Sequence, residues 1–214
     1  MDKSHKKRSK SFYFWLACLS LVLFVAFTLV VKRHLIDKFD FNTTVKIQDH
    51  VSKQFDTFFS IFSLIGSYEI LAAVLLIFIW LQKKIKGIVV FAIFLLTHFV
   101  ELIGKTFLHH PGPPFLFFRY DLPIYFPSSY VQPGSSYPSG HSFRSIFIAT
   151  LFIYAIFKSK RLSFTQKTLC SWAVVFIAGL TLFSRVSLGE HWTSDVIGGF
   201  LLGLAAGFLA LLFV

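Results

Sequence analysis

Two short polar strings combine residue types that can do chemistry together: Pro138-Ser139-Gly140-His141, and Ser184-Arg185 followed by His191 and Asp195. Imidazole attacks phosphorus or protonates a departing oxygen, and a guanidinium fork holds the anion, so the set points to phosphate-ester chemistry. His191 and Asp195 are four residues apart, so on a helix they share a face. There a carboxylate takes the proton of one ring nitrogen and leaves the other free to attack. The bland alternative is a helix start capped by Thr193 or Ser194, with His191 on the surface. Arg185 suits a phosphoryl group through its bidentate donors, against the alternative of a snorkelling side chain. In the first string Gly140 admits close approach of a ligand to the backbone, and Ser139 donates a hydroxyl or caps a helix whose N-terminus favours anions. His141 has the chemistry of a general acid for a leaving alkoxide.

The elements that must carry these strings are membrane spans. Of the 214 residues 55% are hydrophobic, 19% aromatic and only 14% charged, against an apolar share of about 45–50% in soluble domains. Runs able to cross about 30 Å of hydrocarbon as helices lie at Phe12–Val31, Ile61–Leu81, Ile88–Gly104, Phe143–Phe157, Leu169–Phe183 and Val196–Val214. The fourth and fifth are short and must borrow residues from their flanks. The fold class is therefore an all-α, six-span transmembrane bundle. The first run is long and lacks a small-residue cleavage site, so it reads as a retained span rather than a signal peptide. Cys18 and Cys170 fall inside apolar runs without a partner at ligand spacing, as packing residues do. The net charge of +11 sits in short links between spans, and no basic module long enough to fold alone exists, which excludes nucleic acid as a partner.

Those links set an orientation. Lys3, Lys6, Lys7, Arg8 and Lys10, then Lys83, Lys84 and Lys86, then Lys158, Lys160, Arg161 and Lys167 mark cytoplasmic segments by the positive-inside rule. The chain divides into a basic cytoplasmic N-terminus, 1–11, and a single membrane-embedded domain, 12–214, with outer loops at about 32–60, 105–142 and 188–194. Both strings then fall on the outer face. The 32–60 link is either a short interfacial helix or a solvated connector. Phe115, Phe117, Phe118, Tyr120, Tyr125 and Phe126 make the second outer loop aromatic enough to dip into the interface. Gly199, Gly203 and Gly207 recur every fourth residue in the last span, a spacing that serves packing within the bundle or a dimer contact.

Pro138-Ser139-Gly140-His141, with Ser184-Arg185-Val186-Ser187-Leu188-Gly189-Glu190-His191-Trp192-Thr193-Ser194-Asp195, resembles the second and third signatures of the type 2 phosphatidic acid phosphatase family, relatives of the vanadium haloperoxidases. The resemblance implies a metal-independent lipid phosphatase with no cofactor. His191 would be the nucleophile forming a phosphohistidine, Asp195 its orienting carboxylate and His141 the acid. Arg185, Ser139 and the Gly140 amide would hold the phosphoryl oxygens together with Lys105. The first family signature, KxxxxxxRP, is only partly present: Lys105 and Pro113 fit, but Gly112 stands where an arginine is expected. Arg144, one turn after His141 on a helix, is the favoured replacement over Arg119 in the outer loop, with His109 or His110 as further donors. Glu101, four residues before Lys105, is expected to hold that lysine in place. The partner is a lipid phosphate or diphosphate in the membrane: phosphatidate, phosphatidylglycerophosphate or a polyprenyl diphosphate. A bacterial inner membrane with an outward-facing site suits the compact chain, and the sequence sets no oligomeric state. The alternative function is a weak or inactive lipid-phosphate binder or transporter, favoured by Gly112; a haloperoxidase is remote.

Overall fold

The structure, a computed structural model, describes residues 3–82, 86–124, 126 and 135–214, with side chains from residue 10 onward. Lys83, Lys84 and Tyr125 of the sequence reading lie outside the described residues.

The run Phe12–Val31 has no glycine or proline, and it sits in a continuous helix, α1 (Lys3–Lys32). That helix extends back into the basic N-terminus, because lysine, arginine and serine propagate a helix already nucleated by an apolar span. The outer link forms α2 (Asp37–His50), with Asp37 and Asp40 in its first turn, where the helix dipole favours them. α2 buries Asp40 and Thr44, which are four residues apart. The link is thus a packed helix rather than a loose connector.

The run Ile61–Leu81 is not one helix. It divides into α3 (Asp56–Ile65) and α4 (Tyr68–Gln82), and the chain bends by 49° at the break. Gly66, the C-cap of α3, marks the corner. A side chain there would meet Thr181 Cγ2 at 2.6 Å and His141 Cδ2 at 3.1 Å, so the bend seats backbone directly against the fifth and fourth spans.

The remaining spans are α5 (Gly87–Phe107), α6 (Gly140–Lys158), α7 (Phe164–Ser187) and α8 (Thr193–Ala210). α6 and α7 begin upstream of their apolar runs. Ser139 caps α6, and Ser163 with Gln166 forms a capping box on α7. Among the described residues five helices are long and apolar enough to cross a membrane, or six if the bent pair is one span. The described residues contain no strand. The chain is an all-helical, multi-pass membrane protein.

α6 and α8, which carry the two strings, form the centre. Of their span windows 56% and 61% are buried, against 22% for α1 and α5 and 28% for α7. The outer helices instead expose apolar side chains such as Trp15, Leu96 and Phe176, as a hydrocarbon-facing surface should. Gly199, Gly203 and Gly207 form the α8 face against α6: a side chain at Gly199 would strike Ser139 O, at Gly203 Phe143 O, and at Gly207 Thr150. The glycine stripe therefore serves packing within the bundle. Cys18 is half-buried and Cys170 exposed, and both are free thiols.

Candidate active site

The second string is shaped by the end of α7. Leu188 donates its N–H to Ser184 O at 2.9 Å, and Gly189 N–H donates to Val186 O at 3.0 Å. Gly189 has φ +65°, a left-handed conformation that side chains disfavour. The chain doubles back, and the N–H groups of Glu190 and His191 both donate to Arg185 O at 3.0 Å. His191, 6% exposed, thereby stands just before α8. Asp195 Oδ2 accepts the Trp192 N–H at 2.9 Å and lies 3.2 Å from His191 Nδ1. One carboxylate thus closes the first turn of α8 and orients the imidazole. We expect Gly189→Ala to destabilise this turn by about 1–3 kcal/mol, because an added Cβ would also strike the Phe117 backbone. The measurement is thermal unfolding in detergent alongside kcat; an unchanged melting temperature would contradict it.

The two strings are bolted together through main chain: the Ser139 N–H donates to Asp195 O at 2.9 Å. Ser139 is wholly buried, and its hydroxyl accepts from Ser142 N–H at 3.4 Å as the helix cap. The expected phosphate role of Ser139 is thereby reduced to its hydroxyl proton. Gly140 makes room for the ion pair beside it, since a Cβ there would push aside the Glu101 carboxylate and Arg144 Nη2.

Glu101, 2% exposed, gathers the cations. Its Oε1 pairs with Lys105 Nζ at 2.8 Å, and its Oε2 accepts from Arg144 Nη1 at 3.0 Å with His98 Nδ1 at 2.9 Å. The lysine of the incomplete signature and the arginine of α6 are held on one carboxylate. The Arg144 guanidinium also lies 5.2 Å from the Phe143 ring centroid and 5.9 Å from that of Tyr68. Arg185 Nη1 pairs with Glu190 Oε2 at 2.5 Å and contacts the Ser63 hydroxyl, which donates to Glu190 at 2.8 Å. The Nε atoms of Arg144 and Arg185 are buried without a hydrogen-bond partner among the described residues. A buried donor left unpaired costs about 1–3 kcal/mol, which an anionic acceptor beside it would offset.

These charges converge on the histidines. Burial, then the positive charges of Arg185 and Lys105 with a lesser one from Arg144, hold the His191 imidazole well below the ordinary histidine range, against the pull of Glu101. His141 lies within electrostatic reach of Arg185, Arg144, His191 and Lys105. Arg119 is not in this set, which corrects its candidacy as a phosphate ligand. Its guanidinium is held by Asp56 at 2.6 and 3.0 Å and by the carbonyls of Val51 and Gln48. Asp56, at the start of α3, is the buried carboxylate that claims it, and Arg119 becomes a clamp between the outer loop and the α2–α3 turn. The loop aromatics also divide: Phe115 is 85% exposed, whereas Phe117 is buried against Phe41 and Trp192.

Several site residues escaped the sequence reading. Ser63 and Glu190 bind Arg185, and Asp40 accepts both the N–H and the hydroxyl of Ser194 at 2.8 and 2.6 Å. The spacing of Asp40 and Thr44 on one face of α2 was the available signal for the last of these. A cation could be held by His34, Asp37 and His110, whose ligand atoms lie within 4.8 Å of one another. His34 and Asp37 are exposed and pair with each other at 3.0 Å.

A family model described as "PAP2 superfamily" matches residues 86–214. Among curated proteins, phosphatidylglycerophosphatase B of Bacillus subtilis is 29% identical over 128 residues, covering 60% of this chain and 58% of the relative. Lipid A 4′-phosphatase of Porphyromonas gingivalis is 26% identical over 166 residues, covering 71% of this chain and 63% of the relative. The chain thus spans about three fifths of the length of these relatives. Two solved structures share the fold. A transmembrane PAP2-type phosphatidylglycerolphosphate phosphatase from Bacillus subtilis superposes with a TM-score of 0.74 at 20% identity, over 92% of this chain and 94% of that one. Aquifex aeolicus LpxE gives 0.59 at 25% identity, over 81% and 94%.

Proposed function

This chain belongs to the PAP2 superfamily, and on that premise we propose that it is a lipid phosphatase acting through a phosphohistidine on His191 without a metal ion. The observation that carries the reading is the double use of Asp195. Its side chain orients His191 at 3.2 Å, while its carbonyl accepts from Ser139 at 2.9 Å, so nucleophile and acid-bearing string share one anchor.

With its Nδ1 proton held by Asp195, His191 presents Nε2 as a lone pair. That nitrogen bonds to phosphorus as the ester P–O bond breaks, and His141 gives its proton to the departing oxygen. Water then attacks phosphorus, the N–P bond breaks, and His141 takes the proton of the water. Lys105, Arg144, Arg185, the Gly140 amide and the Ser139 hydroxyl hold the phosphoryl oxygens, supplying the charge stabilisation of the transition state. The substrate is a phosphate ester on a lipid, in keeping with the names of the relatives, phosphatidylglycerophosphatase and lipid A 4′-phosphatase. By the distribution of bases the site faces outward, and the bacterial sources of the relatives are in keeping with a bacterial inner membrane.

The second reading, a lipid-phosphate binder without turnover, rests on Gly112. Against it stands Arg144, which shares Glu101 with Lys105 and supplies a guanidinium from a different helix. The deciding experiment measures phosphate release by purified protein in detergent with EDTA. Phosphatidate, phosphatidylglycerophosphate, a lipid A and a polyprenyl diphosphate form the panel. Release from at least one is expected; release from none would leave only the binder. Loss of activity on chelation would overturn the metal-free route.

A pH expectation follows from His191. Its protonation is disfavoured by burial and by Arg185, Lys105 and Arg144, so it stays neutral as pH falls through the ordinary histidine value of about 6.5. The nucleophile therefore survives mild acid. Ring NMR titration of His191 checks this, and a midpoint at or above the ordinary value would contradict it.

A further inference from the structure

Behind Asp195 lies a second, fully buried polar layer that the proposed reaction does not use. Asp195 Oδ1 is buried and accepts no hydrogen bond of normal geometry, yet His110 Nε2 stands 3.4 Å from it. The same Nε2 is 3.3 Å from Ser194 Oγ and 3.9 Å from Asp40 Oδ2. His110, Asp40 and Ser194 are 4%, 1% and 0% exposed.

The chemistry of these neighbours fixes where the His110 proton sits. Ser194 donates its hydroxyl hydrogen to Asp40 Oδ2 at 2.6 Å, so toward His110 it offers only a lone pair. The carboxylates of Asp40 and Asp195 likewise only accept. Each of the three polar groups around Nε2 is thus an acceptor, which makes Nε2 the protonated nitrogen. Another donor near Asp195, the Ser136 hydroxyl, is committed to the His110 carbonyl at 3.1 Å. That bond, with Ser136 N–H to His110 O at 2.9 Å, also fixes the His110 backbone against the stretch leading into the first string.

We propose that His110 is a positioning residue for the reaction, its Nε2–H giving Asp195 Oδ1 a second hydrogen bond that keeps Oδ2 on His191 Nδ1, with Asp40 setting the direction of the proton through Ser194. The inference rests on His191 being the nucleophile. It adds an outer acid–base pair, contributed by α2 and by the loop after α5, to the Asp195–His191 pair.

The test compares His110→Phe, which removes the donor, His110→Gln, which restores an N–H at similar reach, and Asp40→Asn, which keeps volume but lets Ser194 reverse its proton. Two readouts are taken in detergent: kcat and KM on the lipid phosphate panel, and 15N NMR of the His191 ring, which reports its tautomer. We expect kcat to fall about 10–100-fold in His110→Phe and about 10-fold in Asp40→Asn, with KM within about 2-fold. His110→Gln should recover to within about 5-fold of the parent. The His191 shifts should move from one fixed tautomer toward an average in His110→Phe and Asp40→Asn only.

Unchanged kcat and tautomer in His110→Phe overturn the proposal. So does an equal loss in His110→Gln and His110→Phe with the tautomer intact, since that is a packing effect. Should His110→Phe fail to fold, Asp40→Asn decides by the same two readouts. If the parent protein hydrolyses nothing in the panel, the proposed activity falls, while the tautomer comparison still decides the role of His110.

Discussion

His191→Ala is expected to lower phosphate release by at least about 10⁴-fold, with KM and thermal stability nearly unchanged. Alanine removes the atom that bonds to phosphorus, so no rearrangement of the remaining site supplies the first step. Water would have to attack directly, aided only by the cations. The fold should tolerate the change, because Asp195 keeps its bond to the Trp192 N–H at 2.9 Å and its carbonyl contact with Ser139 at 2.9 Å. His141→Ala gives the informative contrast. Its defect should be large on an alkyl phosphate and shrink by about 10²-fold on a nitrophenyl phosphate, whose leaving group needs no proton. Rapid quenching in base with labelled substrate should trap a phosphorylated protein in the parent and none in His191→Ala. Retention of activity in His191→Ala would remove this residue from the chemistry.

Glu101→Gln is expected to cost about 3–5 kcal/mol of stability, because it leaves Lys105 and Arg144 as neighbouring, largely buried cations without their shared carboxylate. The pairings at 2.8 and 3.0 Å convert to weaker contacts with an amide, and His98 loses its charged acceptor. The sign with ligand is opposite. An oxyanion replaces the missing charge, so inorganic phosphate should stabilise Glu101→Gln more than it stabilises the parent, by ligand linkage. Thermal scans with and without phosphate measure both. Equal phosphate-induced shifts in the two proteins would show that Lys105 and Arg144 do not face the phosphate.

The sequence showed the candidate residues more plainly than the groups that support them. His191, Asp195, Arg185 and His141 stood out as candidates because their spacing is local, and the apolar runs located the spans to within a few residues. The break at Gly66 was not visible, since a glycine and a serine between apolar residues fit a continuous span as well as a corner. Arg119 and Arg144 could be ranked on helix geometry alone, but what separated them was a long-range partner: Asp56 for one, Glu101 for the other. Pairings of that kind, like Asp40 with Ser194 across 154 positions, leave no trace in local pattern. Phe117 illustrates the same limit, because an aromatic loop reads as interfacial until a buried pocket claims one of its rings.

The capping of α8 by Asp40 bears on how portable this machinery is. Every residue assigned a chemical step lies within 86–214, the stretch matched by the family model. Yet the carboxylate that seats Ser194, the hydroxyl that bridges Arg185 to Glu190, and the glycine corner beside His141 come from Asp40, Ser63 and Gly66. The reacting half is therefore not an autonomous module. A graft that transplanted only the signature-bearing helices would carry the right letters into the wrong register, and divergence in the first 85 residues can retune the reaction without touching a signature.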